Sequence, residues 1–253
     1  MTDGTATTSP IILPLINSTT DPEVLIFNID DAKKLRNEHN ILGVLTGTLQ
    51  QYPQQNIFLS VPLRLVIWEV LWLLKNKKAI LVDQRAYRTA RLTGEVSNAN
   101  YSGNLITTAN TEPSADLELA MKHQVPVKEY VRQYLANSTF TIDTFIKYAK
   151  YYSHLQNQGY FINPGLKFGG DLVIYPGDPL RYHSYSIVKF EFVDMHQIVV
   201  GGRLATSVKK NLVIMGERNP STQKHDEVDD EVIEELFEES VPLTFSIEWA
   251  GFG

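Results

Sequence analysis

Along this chain the apolar positions change period in blocks, and the blocks mark elements. From Val24 to Leu49, VLIFNIDDAKKLRNEHNILGVLTGTL opens on β-branched and aromatic residues, a strand signal. Asp30 stands as a helix N-cap before DAKKLRNEH, and Gly43 and Gly47 punctuate the stretch after that helix. From Ser60 to Val82, SVPLRLVIWEVLWLLKNKKAILV predicts a capped helix running into a short strand. Ser60 is the cap, Pro62 sits in the first turn, and lysines collect at the C-terminal end. Apolar residues lie nearly all round this helix, the mark of an element buried against a partner.

Periodicity fades from Arg91 to about Pro126, where Asn, Thr, Ser and Ala dominate. That composition reads as a polar linker carrying one helix near ADLELAMKHQ. At Thr141 the helical period returns in TIDTFIKYAKYYSHLQNQ and stops at Gly159. Strand patterns come next at Asp171–Tyr175, Ser186–Phe192, Asn211–Met215 and Leu243–Trp249, with a helix between the second and third. The expectation is an α+β protein. It has a flexible leader over 1–23, a small N-terminal α/β-type domain over 24–90 and a linker over 91–137. A C-terminal domain over 138–253 carries a mostly antiparallel mixed sheet flanked by helices. No internal repeat is visible.

Composition sharpens this picture in three ways. A hydrophobic content of 43% is that of an ordinary globular chain. The absence of cysteine removes disulfides, thiolate metal sites and cysteine nucleophiles together. No run approaches the ~18 apolar residues of a membrane span, and the N-terminal stretch lacks the order of a secretory signal. The net charge of −6 argues at first sight against a nucleic-acid partner. DEVDDEVIEELFEE, however, holds nine of the acids, and the remainder carries 20 acids against 23 bases, a net of +3. Whole-chain charge is therefore a poor guide to any one surface. The acidic run over 226–239 reads as a solvated loop.

Candidate chemistry centres on GGDLVIYPGDPLRYHS, Gly169 to Ser184. A strand ends on Tyr175, PGDP supplies strong turn chemistry, and His183 stands beyond it. Two readings fit: a buried tyrosine and surface histidine on an ordinary hairpin, or a phenol and an imidazole facing one pocket. GGRLATSVKKNLVIM adds a short helix ending in Lys209 and Lys210. Lysines suit a helix C-terminus on dipole grounds alone, and alternation along extended chain turns only one of the pair inward. Arg181, beside the histidine, is a candidate phosphate contact with no assigned role. A metal-dependent site would instead draw on Asp171 or Asp178. His39, His123, His154, His196 and His225 show no ligand spacing.

Taken together, GLKFGGDLVIYPGDPLRYHS, GGRLATSVKK and FSIEWAGFG resemble the tRNA-splicing endonuclease (tRNA-intron endonuclease) family. The likeness is closest to the eukaryotic catalytic subunits assigned to the 3′ splice site, and FLSVPLRLVIWEVLWLL is similar to the first domain of those subunits. The resemblance implies cleavage of precursor tRNA without a metal or other cofactor. A 2′-hydroxyl attacks the adjacent phosphorus and leaves a 2′,3′-cyclic phosphate and a 5′-hydroxyl. By the same resemblance Tyr175 matches the family's base, His183 its acid, and Lys210 the lysine that supplies charge. Arg203 and Trp249 match an arginine and an aromatic that sandwich a splayed intron base, in the service of the other catalytic subunit's site. The implied partners are a small structural subunit in direct contact, and a second catalytic and a second structural subunit completing a heterotetramer. The implied location is the nucleus or, in a fungus, the cytoplasmic face of the mitochondrial outer membrane. Decay to a non-catalytic assembly subunit is the rival reading, against which all three matched residues stand intact.

Overall fold

The structure, a computed structural model, describes residues 9–17, 20–46, 61–93, 113–191, 194–217 and 225–248. The chain forms two compact units, one of residues 1–33 and 43–139, the other of 34–42 and 140–253. Residues 34–42, assigned by sequence to the N-terminal domain, thus belong with the C-terminal unit.

The first unit is built on a five-stranded sheet. Its strands are β1 (Ile11–Ile16), β2 (Glu23–Ile26), β3 (Val44–Leu45), β4 (Leu63–Leu65) and β5 (Ala79–Asp83), in the order β3-β4-β2-β1-β5. Only β1 and β5 pair in parallel. Strand β1 corrects the reading of 1–23 as a leader: Ile11, Leu13 and Leu15 alternate into the core. Pro14 disguises it, since proline is disfavoured inside sheets. Here β2 pairs with β1 only from Leu15 onward, so at Pro14 the strand has a neighbour, β5, on one side only.

Helix α1 (Ile29–His39) is capped by Asn28, whose Oδ1 accepts from Asp30 N–H at 2.8 Å. Asp30 therefore lies inside the first turn instead of capping it. Helix α2 (Ile67–Lys75) starts later than predicted, because Leu63–Leu65 before it is strand β4. The start is fixed by Glu69, 2% exposed, which accepts from the Val66 and Gly43 N–H groups at 2.9 and 2.8 Å. Ser60 and Gly47 lie outside the described residues. Three more helices come after β5: α3 (Gln84–Thr93), α4 (Pro113–Lys122) and α5 (Val127–Ala136). The region read as a linker therefore holds two packed helices. Leu119 and Ala120 join Val82, Tyr87 and Ala90 in one cluster, and Tyr130 and Val131 are buried.

The second unit carries the sheet β10-β9-β8-β7-β6. Its strands are β6 (Phe161–Pro164), β7 (Leu172–Tyr175), β8 (Ser186–Phe190), β9 (Asn211–Gly216) and β10 (Leu243–Ile247). All pair antiparallel except β8 and β9. A parallel pair needs a crossover, which α7 (Met195–Ser207) supplies, capped by Asp194 onto Gln197 N–H at 2.7 Å. Before the sheet, α6 (Ile142–Asn157) is capped by Thr141, and Gly159 at φ +84° ends the helical turn.

The acidic run is not a loop. Asp229 caps α8 (Asp230–Phe237), and Val232 and Leu236 are buried where this helix packs on α6. Lys150, 8% exposed on α6, meets Glu235 at 3.1 Å, and His225 Nδ1 lies 3.0 Å from Asp143. Apolar spacing inside the acidic stretch thus outweighs its charge. Truncating Leu236 to alanine is expected to destabilise the protein by about 2–5 kcal/mol, read as a lowered thermal midpoint. An unchanged midpoint would restore the loop reading.

Candidate active site

The site forms where three chain segments meet at one end of the C-terminal sheet. Ile174 of β7, Ser186 of β8 and Asn211 of β9 share one rung. One step beyond that rung stand Tyr175, Tyr185 and Lys210. Backbone bonds hold this step: Tyr185 N–H donates to Ile174 C=O at 3.3 Å, and Asn211 N–H to Tyr185 C=O at 2.9 Å. Ordinary strand spacing puts the outer two positions about 10 Å apart along the rung.

Tyr175 is half-buried and opposes Phe161 of β6. His183 is exposed, in the segment just before β8. Its neighbour Ser184 is buried, and the Ser184 carbonyl accepts from Lys210 Nζ at 2.9 Å. Lysine and histidine segments are therefore joined directly, and Tyr175 reaches the same end of the sheet through strand pairing.

Lys210 owes its direction to the way α7 ends. Lys209 N–H bonds Thr206 C=O and Lys210 N–H bonds Ala205 C=O, the paired bonds of a Schellman ending. Lys209 holds the left-handed position at φ +56°, where glycine is usual. The reversal leaves Lys209 exposed and Lys210 half-buried, matching the expectation that only one points inward. Lys210 Nζ also sits 5.1 Å from the centroid of the Phe168 ring, a cation–π distance. Burial holds its ammonium pKa below the ordinary lysine value.

Phe168 itself comes from a 3-10 turn over Leu166–Phe168. The GLKFGG motif allows that turn because Gly165 lies directly on the backbone of Leu172. Tyr185, next to the histidine segment, faces Tyr160 with ring centroids 6.2 Å apart. Burial first, and the Tyr160 hydroxyl second, hold the Tyr185 phenol above its usual pKa, so it stays a neutral hydroxyl.

The remaining candidates lie apart from this cluster or have other work. Arg203 is exposed on α7, about one turn before its end. Trp249 lies outside the described residues. Asp171 accepts from Phe190 N–H at 2.7 Å, and Asp178 takes the fork of Arg36 at 2.6 and 2.9 Å. Among the described residues no three histidines or carboxylates gather as metal ligands, and no helix is long and apolar enough to cross a membrane. Sequence reasoning missed two residues here. Phe168 is readable as the only aromatic of its motif, whereas Arg36 carries no local signal.

Known families and proteins are similar to this chain. Residues 145–225, which include Tyr175, His183 and Lys210, match the family described as tRNA intron endonuclease, catalytic C-terminal domain. Residues 15–84 match the TSEN34-like N-terminal domain. The tRNA-splicing endonuclease subunit SEN34 of Saccharomyces cerevisiae is 28% identical over 90% of this chain and 99% of its own length. The probable sen34 subunit of Schizosaccharomyces pombe is also 28% identical, over 90% and 95%. The human Sen34 subunit is 40% identical over 25% of this chain and 22% of its own. The chain belongs to the tRNA-splicing endonuclease family.

Gly165 offers a test of the site's scaffold. An added Cβ there would lie 2.6–2.8 Å from backbone atoms of Leu172, which cannot swing aside. Gly165→Ala is expected to lower stability by about 1–3 kcal/mol in a thermal melt. A native-like melt would show that the turn beneath Lys210 can shift freely.

Proposed function

We propose that this chain is the catalytic subunit that cuts precursor tRNA at the 3′ splice site, within a multi-subunit tRNA-splicing endonuclease. The observation that carries the reading is the Lys210 ammonium bonded to the carbonyl beside His183, inside the segment matching the family's catalytic domain. The RNA 2′-hydroxyl attacks the adjacent phosphorus in line, and the 5′-oxygen leaves. Tyr175 takes the proton from the 2′-oxygen, and His183 gives one to the leaving 5′-oxygen. Lys210 offsets the charge that grows on the non-bridging oxygens. The products are a 2′,3′-cyclic phosphate and a 5′-hydroxyl, with atoms and protons balanced between base and acid.

The residue types can be weighed against these roles from their general chemistry. Histidine titrates near neutrality and can act as an acid there. A free tyrosine is phenolate in only about one molecule in a thousand at pH 7. The half-burial of Lys210 and the bond from its ammonium to the Ser184 carbonyl support a role for its charge in the site.

Arg203 and Trp249 are assigned to a clamp on a splayed intron base, by guanidinium and indole stacking. The clamp serves the second catalytic subunit's cut. The direct partner is the small structural subunit, and the second pair of subunits completes a heterotetramer. Strand β10 supports an assembly role, because it is the sheet's edge and Phe245 on it is half exposed. Such an edge can be extended by another chain.

The test is cleavage of an intron-containing precursor tRNA by the co-expressed complex in excess chelator. His183→Ala is expected to slow the 3′ cut by about 10²- to 10⁴-fold while the 5′ cut persists. Persistence of both cuts would make this chain an assembly subunit. A second test uses pH. Lys210 is charged at neutrality and loses its proton as pH rises through a value lowered from 10.5. The alkaline limb of the 3′ cut should therefore fall before that value. Lys210→Arg should move the limb upward, because guanidinium keeps its proton above pH ~12. A limb that stays in place would assign it to another group.

A further inference from the structure

The loop between Tyr175 and Ser184 is held from outside by a residue far away in sequence. Within the loop, Asp178 organises the turn. Its Oδ1 accepts from Leu180 N–H at 2.8 Å, and its own carbonyl accepts from Arg181 and Tyr182 N–H at 2.8 and 3.0 Å. Gly177 lies against the Tyr182 ring, so close that a Cβ would sit 2.7 Å from its carbons. These contacts shape the loop without tying it to the body of the protein.

Arg36 makes that tie. Its Nε donates to Asp178 Oδ2 at 2.9 Å and its Nη2 to Oδ1 at 2.6 Å. This is a two-point fork with directional specificity. Both side chains are about one-third exposed or less, at 31% and 29%, so the pair is better shielded than a free surface bridge. The fork holds the Asp178 carboxyl below its usual pKa, keeping it charged at neutral pH. Arg36 is itself on a fixed post. Leu35 is fully buried, Gln156 Nε2 donates to His39 C=O at 2.8 Å, and Asn40 Nδ2 donates to Gly159 C=O at 2.9 Å. A line of contacts thus runs from the end of α6, through the end of α1, to Asp178 and the loop that carries His183. Lys210 pins the far side of the histidine at Ser184.

We propose that Arg36 is a positioning residue for the 3′ cut, holding the His183 loop in register through its fork to Asp178. The proposal rests on His183 as the acid of that cut. An ion pair acting on stability alone would contribute little at such exposure and would not separate the two cuts. A loop shift of ~1 Å, by contrast, can cost about 10²-fold in rate.

The experiment measures both cuts in the reconstituted complex at saturating precursor tRNA. Arg36→Gln removes the fork. Asp178→Asn keeps an acceptor for Leu180 N–H but loses the charge. Each is expected to lower kcat of the 3′ cut about 10- to 100-fold, with KM and the 5′ cut unchanged. The double variant should be no worse than either single, because the two act as one unit. Arg36→Lys should recover part of the rate. The proposal is overturned if both single variants cut at native rate while His183→Ala is dead at the 3′ site. Additive losses overturn it as well, and so does a parallel fall in both cuts, which would mark a role in assembly. If His183→Ala itself cuts normally, the functional reading fails first and separately.

Discussion

The candidate site depends on a single rung of backbone hydrogen bonds. Tyr185 links β7 to the edge of β9, donating to Ile174 and accepting from Asn211. These are main-chain groups, so no substitution short of proline deletes them, and strand spacing sets the separation of what they carry. Because β8 and β9 run parallel, the chain must cross over between them, and α7 makes that crossing. The end of α7 then delivers Lys210 to the rung, with Lys209 absorbing the left-handed turn. Sheet pairing thus fixes the backbone positions of Tyr175 and Lys210, as positional catalysis requires.

Around that frame the charged groups are arranged against the trend of the whole chain. The net charge is −6, yet much of the acidity is drawn into α8 and its contacts. Asp229 caps the helix, Asp230 and Glu231 favour its N-terminus, and Glu235 and Glu238 lie near the buried Lys150. In the loop after Tyr175, Asp178 is matched by Arg36, and at the other end of β7 Asp171 accepts from the Phe190 N–H. Burial disfavours the charge of Asp171, and Lys210 likewise sits in a half-buried place that disfavours its charge. A folded chain rarely keeps such a cost without compensation, and here the Ser184 carbonyl and Phe168 ring supply part of it.

Local signals are legible where several agree. Helix α6 has a capping threonine, a sustained apolar period and a glycine stop, and these place its limits to within a residue or two. The strands bearing Tyr175 and following Lys210 are marked by β-branched runs and turn residues. Signals in conflict mislead. Pro14 hides β1, whose one-sided pairing at that point tolerates it. Nine acids hide the apolar spacing of Val228, Val232 and Leu236. Helix α5 is hidden by lying inside a stretch that reads as a polar linker, and burial of Tyr130 and Val131 packs it.

Legible in the sequence were most elements of the second unit, though not β6 or α8, together with the α+β class, the family likeness and the candidates Tyr175, His183 and Lys210. Each of these rests on neighbours within a turn or a motif, and local chemistry is written locally. Only the tertiary structure decided which lysine faces inward, that Phe168 lies beneath it, and that Arg36 grips the histidine loop across 142 residues of chain. Those outcomes depend on which segments pack together, and packing is a property of the whole fold that no short stretch of sequence records.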